Sequence, residues 1–153
     1  MDGEPSPEEL AERAVAWALA HAGSAAYATR CLAFVEDAYE RSNGIEVFGG
    51  ASAAESQALY GTRPLEGEPP PRGALVFYAC SGPIRGESRD WGHVGLSLGD
   101  GRVVHAWDVV RIDRIADVAA LPPGAGWTSP IPVGWTPAER LLAGHRRRTW
   151  PDG

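Results

Sequence analysis

Three side chains in this sequence have the types needed for nucleophilic acyl chemistry: Cys31, His93 and His105. A thiolate attacks a carbonyl carbon, and an imidazole that titrates near neutral pH takes and returns the proton. The two histidines lie near the outer ends of residues 91–107, Trp-Gly-His-Val-Gly-Leu-Ser-Leu-Gly-Asp-Gly-Arg-Val-Val-His-Ala-Trp, which read as two short strands joined by a tight glycine turn. Strand side chains alternate between faces, so the register decides whether the rings meet.

A two-residue loop, Asp100-Gly101, pairs Leu96 with His105 and sends His93 to the opposite face. A three-residue loop, Gly99-Asp100-Gly101, with Gly101 left-handed in a G1 bulge, pairs Gly95 with His105 instead. Both histidines then share a face as diagonal neighbours, and Gly95 leaves room between them. In that register Val94, Leu96 and Leu98 face the other side with Val104 and Ala106, making one face apolar and the other functional. This consistency favours the three-residue loop.

The cysteine needs a different support. Thr29 is placed to cap a helix over about 30–41, with Leu32, Val35 and Tyr39 as its apolar stripe and Asn43-Gly44 as its stop. Cys31 then falls in the first turn, where free N–H groups and the helix dipole favour a thiolate and can hold an oxyanion. An earlier helix starts at Ser6-Pro7-Glu8-Glu9, a capping box with proline at the first helical position, and stops near Gly23; His21 in its last turn suits the dipole. Ser52-Ala53-Ala54-Glu55 opens a further short helix that ends at Gly61.

The second half reads as strands. Residues 62–73, with four prolines, connect a helical layer to a sheet, and Ala74–Cys80 is a near-continuous apolar run typical of a buried strand, with Cys80 packed at its end. Residues 81–91 are expected to be a polar loop bordering a binding site, with Trp91 as a cleft wall. Residues 109–115 suggest one more strand, 119–137 an irregular proline-rich segment, and 137–143 a short closing helix.

Composition sets the limits. With 153 residues, 14 Lys+Arg and 20 Asp+Glu, the chain has a formal charge of −6, which argues against nucleic acid or an anionic membrane as its main partner. No stretch of about 20 apolar residues spans a membrane. The acidic N-terminus lacks the features of a signal peptide, so the expectation is a cytoplasmic chain or one released by a non-classical route. Residues 6–145 are expected to form a single domain between a disordered 1–5 and a basic, solvated tail over 146–153, announced by His145-Arg146-Arg147-Arg148. Two cysteines are too few for a disulfide framework, and two reduced thiols suit a cytosolic protein.

The cysteine at a helix start, the Gly-Ala-Leu-Val-Phe-Tyr strand and the segment from His93 to Ala106 together resemble the NlpC/P60 cysteine peptidases, a papain-like superfamily related to the CHAP domains. The likeness covers roughly residues 27–115. It implies an α+β, papain-like fold of N-terminal helices packed on a small antiparallel sheet. It further implies that Cys31 is the nucleophile, His93 the general base and later acid, and His105 the group that orients His93. This chain has Arg30-Cys31-Leu32-Ala33 where members commonly have Asp-Cys-Ser-Gly, and Ala74 where they carry aspartate.

The expected activity is amide hydrolysis through an acyl-enzyme, and the resemblance points to a D-glutamyl to diamino-acid bond in a peptide or peptidoglycan fragment. Tyr27, Ser81, Trp91 and Trp107 are the candidate substrate contacts. A cytosolic acyl or amide transferase would use the same triad with another acceptor. Cys31, Cys80, His93 and His105 also match a Cys₂His₂ zinc set by type, but they lack short-spaced pairs, so no metal or other cofactor is expected. A binding module with an idle triad is the remaining alternative.

Overall fold

In the computed structural model, which describes residues 4–151, the first helix begins as its sequence requires. The Ser6 hydroxyl accepts from the Glu9 N–H, and the Ser6 N–H donates to Glu9 Oε1 at 2.8 Å, closing the capping box of α1 (Pro7–Ala20). Helix α2 (Cys31–Asn43) follows and ends on Gly44, whose left-handed conformation returns its N–H to the Glu40 carbonyl. Strand β1 (Ile45–Glu46) and helix α3 (Ala53–Tyr60) complete the first half. The second half contains β2 (Leu75–Ala79), β3 (Ser81–Ile84), β4 (Glu87–Asp90), β5 (His93–Ser97), β6 (Arg102–Ala106), β7 (Val110–Arg114) and a 3₁₀ segment over Ile115–Ala120. Strand β8 (Ile131–Thr136), helix α4 (Ala138–Leu142) and strand β9 (Arg146–Arg147) close the chain.

Five strands form one antiparallel sheet in the order β7-β6-β5-β2-β8. On one face Leu75, Phe77, Val94, Leu96, Val104 and Ala106 pack against α1 and α2 through Ala14, Val15, Phe34, Val35 and Tyr39. Full burial of side chains such as Leu75 and Phe77 stabilises the fold by about 1.5–3 kcal/mol each. The result is the expected α+β arrangement of helices on a small antiparallel sheet.

The second face departs from the expectation of a purely functional surface. Val76, Tyr78, Val103 and Val118 form a smaller core there, covered by Leu65, Ile115 and Leu121. The near-continuous apolar character of 74–80 reflects this, because a strand buried on both sides has no polar face to alternate.

Other expectations are corrected in detail. The proline-rich 119–137 is not wholly irregular: β8 pairs with β2 from Leu75↔Thr136 to Ala79↔Ile131, with a register shift beside Pro132. Pro is tolerated because β8 is an edge strand and the ladder is already interrupted there. The segment 81–91 is a hairpin rather than an open loop. Its strands β3 and β4 turn at Arg85-Gly86, both left-handed at φ +52° and +82°, as a two-residue primed turn requires.

The basic tail also proves to be partly structured. Its first residues form β9, which pairs with β1 at Ile45↔Arg147 and Glu46↔Arg146, while Trp150 Nε1 donates to the Ile45 carbonyl at 2.7 Å. Arg148 reaches Glu46 Oε2 at 3.0 Å, so a carboxylate on β1 gives the arginine run a place to dock. Of the segments expected to be disordered or solvated, residues 1–3 and 152–153 lie outside the described residues. Among the described residues, no helix is long and apolar enough to cross a membrane.

Candidate active site

The hairpin register decides the site, and it is the one that a three-residue turn imposes. Gly95 stands opposite His105, Leu96 opposite Val104 and Ser97 opposite Val103, and the Leu98 N–H donates to the Arg102 carbonyl at 2.9 Å. Gly99 and Gly101 both have φ +90°, a conformation that glycine adopts without steric cost. His93 and His105 therefore share a face.

The rings meet. His93 Nε2 and His105 Nδ1 are 2.8 Å apart, and the ring planes cross at 83°. Both side chains are buried, at 4% and 0% exposure. Burial, reinforced by the charge of His105, holds the His93 imidazole well below its ordinary range, and burial lowers His105 despite the opposing pull of Asp113. Burial thus favours the neutral form of both rings.

Cys31 is the first residue of α2 and is half-buried. Thr29 does not cap this helix. It takes φ +65°, a left-handed conformation unusual for a β-branched residue, and Arg30 becomes the N-cap without a side-chain hydrogen bond. The first-turn N–H groups are thus left to other acceptors. The nearby backbone N–H groups of Val94, Leu32 and Cys31 act to lower the thiol's pKa, and Val94 is the residue that follows His93. Pairing of β5 with β6 begins at Gly95, one residue further along.

Desolvation opposes the thiolate expected at the helix start. Burial pushes the Cys31 thiol up to about 11, outweighing the nearby N–H groups that favour its anion. The helix terminus supplies donors, but desolvation dominates. Cys80, the other free cysteine, is buried at the end of β2, where its Sγ lies 3.5 Å from the Thr128 carbonyl.

The candidate substrate contacts occupy different surroundings. Trp107 packs edge-on against the His93 ring with centroids 5.2 Å apart, and its Nε1 donates to the Pro122 carbonyl. Trp91 donates Nε1 to the Gly82 carbonyl, carries the Arg89 guanidinium over its ring, and accepts from the Ala54 N–H at the start of α3. The Ser81 N–H donates to Thr128 Oγ1 at 2.9 Å, and the Ser81 carbonyl accepts from the Thr128 N–H at 2.8 Å. The Tyr27 hydroxyl donates to Asp37 Oδ2 at 2.5 Å, and burial together with that carboxylate pushes the phenol up to about 12. A wide groove of about 760 Å³ lies elsewhere, beside Arg41, Ile45 and Trp150, and none of these site residues lines it.

One residue of the site was absent from the sequence-based set. Asp113 on β7 places Oδ2 2.8 Å from His105 Nε2, and Arg111 donates Nε to the same oxygen at 2.8 Å. The alternation Arg111, Ile112, Asp113 puts the ion pair on one face, but only the pairings His105↔Arg111 and Val103↔Asp113 bring it to the histidine. These contacts use both nitrogens of His105 within the protein. Among the described residues, no three histidine, cysteine, aspartate or glutamate side chains converge on a metal-sized site.

The NlpC/P60 family model matches residues 17–120. No curated protein matches the chain. Among solved structures it is similar to NlpC1 from Trichomonas vaginalis, at 19% identity and a TM-score of 0.49 over 89% of this chain and 46% of that one. The chain thus spans about half the length of NlpC1.

Proposed function

Since this chain belongs to the NlpC/P60 family, with its papain-like α+β fold and cysteine-type hydrolase chemistry, we propose that it cleaves an amide bond through a Cys31 acyl-enzyme. The observation that carries the reading is the buried 2.8 Å contact between His93 and His105. His93 is the general base and later the acid, and His105 holds its ring in place.

The electrostatics refine the sequence of events. With the thiol raised and the imidazole lowered, the resting pair is a neutral thiol and a neutral ring. Proton transfer to His93 therefore accompanies sulfur attack, and the free energy that favours it comes from bound substrate. The Cys31 N–H, at an uncapped helix start, is a donor for the developing oxyanion. His93 then protonates the leaving amine, and water releases the acyl group from sulfur.

The substrate we propose is a peptidoglycan peptide cut between D-glutamate and a diamino acid. Trp107, beside His93, and Trp91, next to the strand that carries it, are the walls proposed to receive it. Tyr27 and Ser81 complete the proposed contact set.

A thiol-directed alkylator followed by peptide mapping tests the nucleophile. Cys31 should label in preference to Cys80, with parallel loss of cleavage of a D-glutamyl–diamino-acid peptide. Preferential labelling of Cys80, or full activity after Cys31 is blocked, overturns the reading.

A further inference from the structure

We infer that Asp113 is a positioning residue that dictates the proton pattern of both histidine rings, leaving His93 Nδ1 as the one unprotonated ring nitrogen free to act as a base. The structural part stands on hydrogen-bond geometry alone; its catalytic consequence rests on the function proposed above.

An ionised carboxylate is an acceptor only. His105 Nε2, 2.8 Å from Asp113 Oδ2, must therefore carry a hydrogen and donate it. A neutral imidazole has a single N–H, so His105 Nδ1 presents a lone pair. His93 Nε2, 2.8 Å from that lone pair, must donate in turn, and the unprotonated nitrogen of His93 is then Nδ1. The proton positions follow from one carboxylate at the far end of the chain of bonds.

Two further observations support the premises. Arg111 donates Nε to Asp113 Oδ2 at 2.8 Å and Nη2 to Oδ1 at 3.3 Å, so the carboxylate is held by a forked guanidinium on its own strand. Although burial acts to raise Asp113, the hydrogen bonds from Arg111 and His105 hold it below its ordinary range, which keeps it ionised. Burial also acts against a second proton on His105. The alternative pattern, with a doubly protonated His105 donating in both directions, would put the His93 proton on Nδ1 and remove the base.

The arrangement also explains an otherwise costly placement. Asp113 is only 14% exposed, and a carboxylate there needs partners for both oxygens. It has them, and one partner is the histidine whose tautomer matters.

Nitrogen NMR of the ¹⁵N-histidine-labelled protein at neutral pH reads the tautomers directly. Both His93 and His105 should show protonated Nε2 and unprotonated Nδ1. Asp113→Leu, checked for its fold by circular dichroism, should shift His105 toward Nδ1–H, whereas Asp113→Asn, which keeps an acceptor oxygen, should retain the original pattern. In a cleavage assay Asp113→Leu should lower kcat by about 10²-fold or more with KM held, as expected when a general base is lost. An Nδ1–H signal for either ring in the unaltered protein, or an unchanged His105 tautomer in folded Asp113→Leu, overturns the inference. The unaltered protein alone suffices for the first test should Asp113→Leu fail to fold. These readouts are independent of the enzymatic reading: an inactive protein with the stated tautomers refutes hydrolysis but not the role of Asp113.

Discussion

Gly95 stands directly across the ladder from His105, with so little clearance that a Cβ added to it would lie 2.8 Å from the His105 Cβ and 2.6 Å from Val103 Cγ2. The glycine is therefore part of what lets two imidazoles meet across adjacent strands. Gly95→Ala should push β6 away or twist His105 off its bond to His93. The expected cost is about 1–3 kcal/mol of stability, as for overpacked cores, accompanied by loss of cleavage. Urea denaturation and a peptide-cleavage assay on the same preparation measure both.

The two cysteines should separate cleanly. Cys31→Ala is expected to abolish turnover, because nothing else in the site supplies a nucleophile of that reactivity. Cys80→Ser keeps a hydroxyl able to reach the Thr128 carbonyl and should leave kcat within about threefold while costing roughly 1 kcal/mol of stability. Steady-state kinetics and thermal melts of the two variants test this.

The buried histidines make stability fall in acid. His93 and His105 have folded values below the ordinary 6.5, so the unfolded chain binds more protons as the pH drops through that value. Their contribution is complete above about pH 6.5 and is lost progressively below it. The thiol acts at the other end: with Cys31 raised from 9 to about 11, the unfolded chain ionises first and stability declines between those values. Denaturation midpoints between pH 5 and 11 should outline both limbs, and Cys31→Ala should remove its part of the alkaline one.

Glu36 carries an opposite acid-range signature. Burial, followed by the neighbouring Glu40 and Asp37 carboxylates, raises it from 4.5 to about 7. The folded state holds its proton while the unfolded chain releases it, so this group lowers stability as pH rises from about 4.5 to 7. Glu36→Gln should stabilise the protein at pH 8, and the gain should shrink toward pH 4.5. Parallel urea titrations at the two pH values decide it; an equal gain at both would contradict the assignment.

The histidine contact is legible in the sequence because Gly99 and Gly101 leave few loop choices, and the alternation of Val94, Leu96 and Leu98 against Val104 and Ala106 selects among them. Asp113 is not legible in the same way. It sits on a third strand, and its approach to His105 depends on the register set across the turn where the Trp107 N–H bonds the Val109 carbonyl. Strand β8 is hidden by Pro130 and Pro132, which read as breakers until an edge position makes Pro132 tolerable. The upward shift of the Cys31 thiol is hidden for a different reason. A helix start announces N–H donors from sequence alone, whereas the desolvation that overrides them comes from tertiary packing.

The place of β2 between β5 and β8 has a consequence for the order in which the molecule assembles. Strands β5, β6 and β7 form a meander of short connections, so the hairpin holding both histidines can pair early from local contacts. The central strand β2 instead gains its second neighbour only when Thr136 returns to Leu75. During synthesis, the flank of β2 that later receives β8 stays unpaired until residues 131–136 have emerged, leaving this flank exposed to mispairing with another chain.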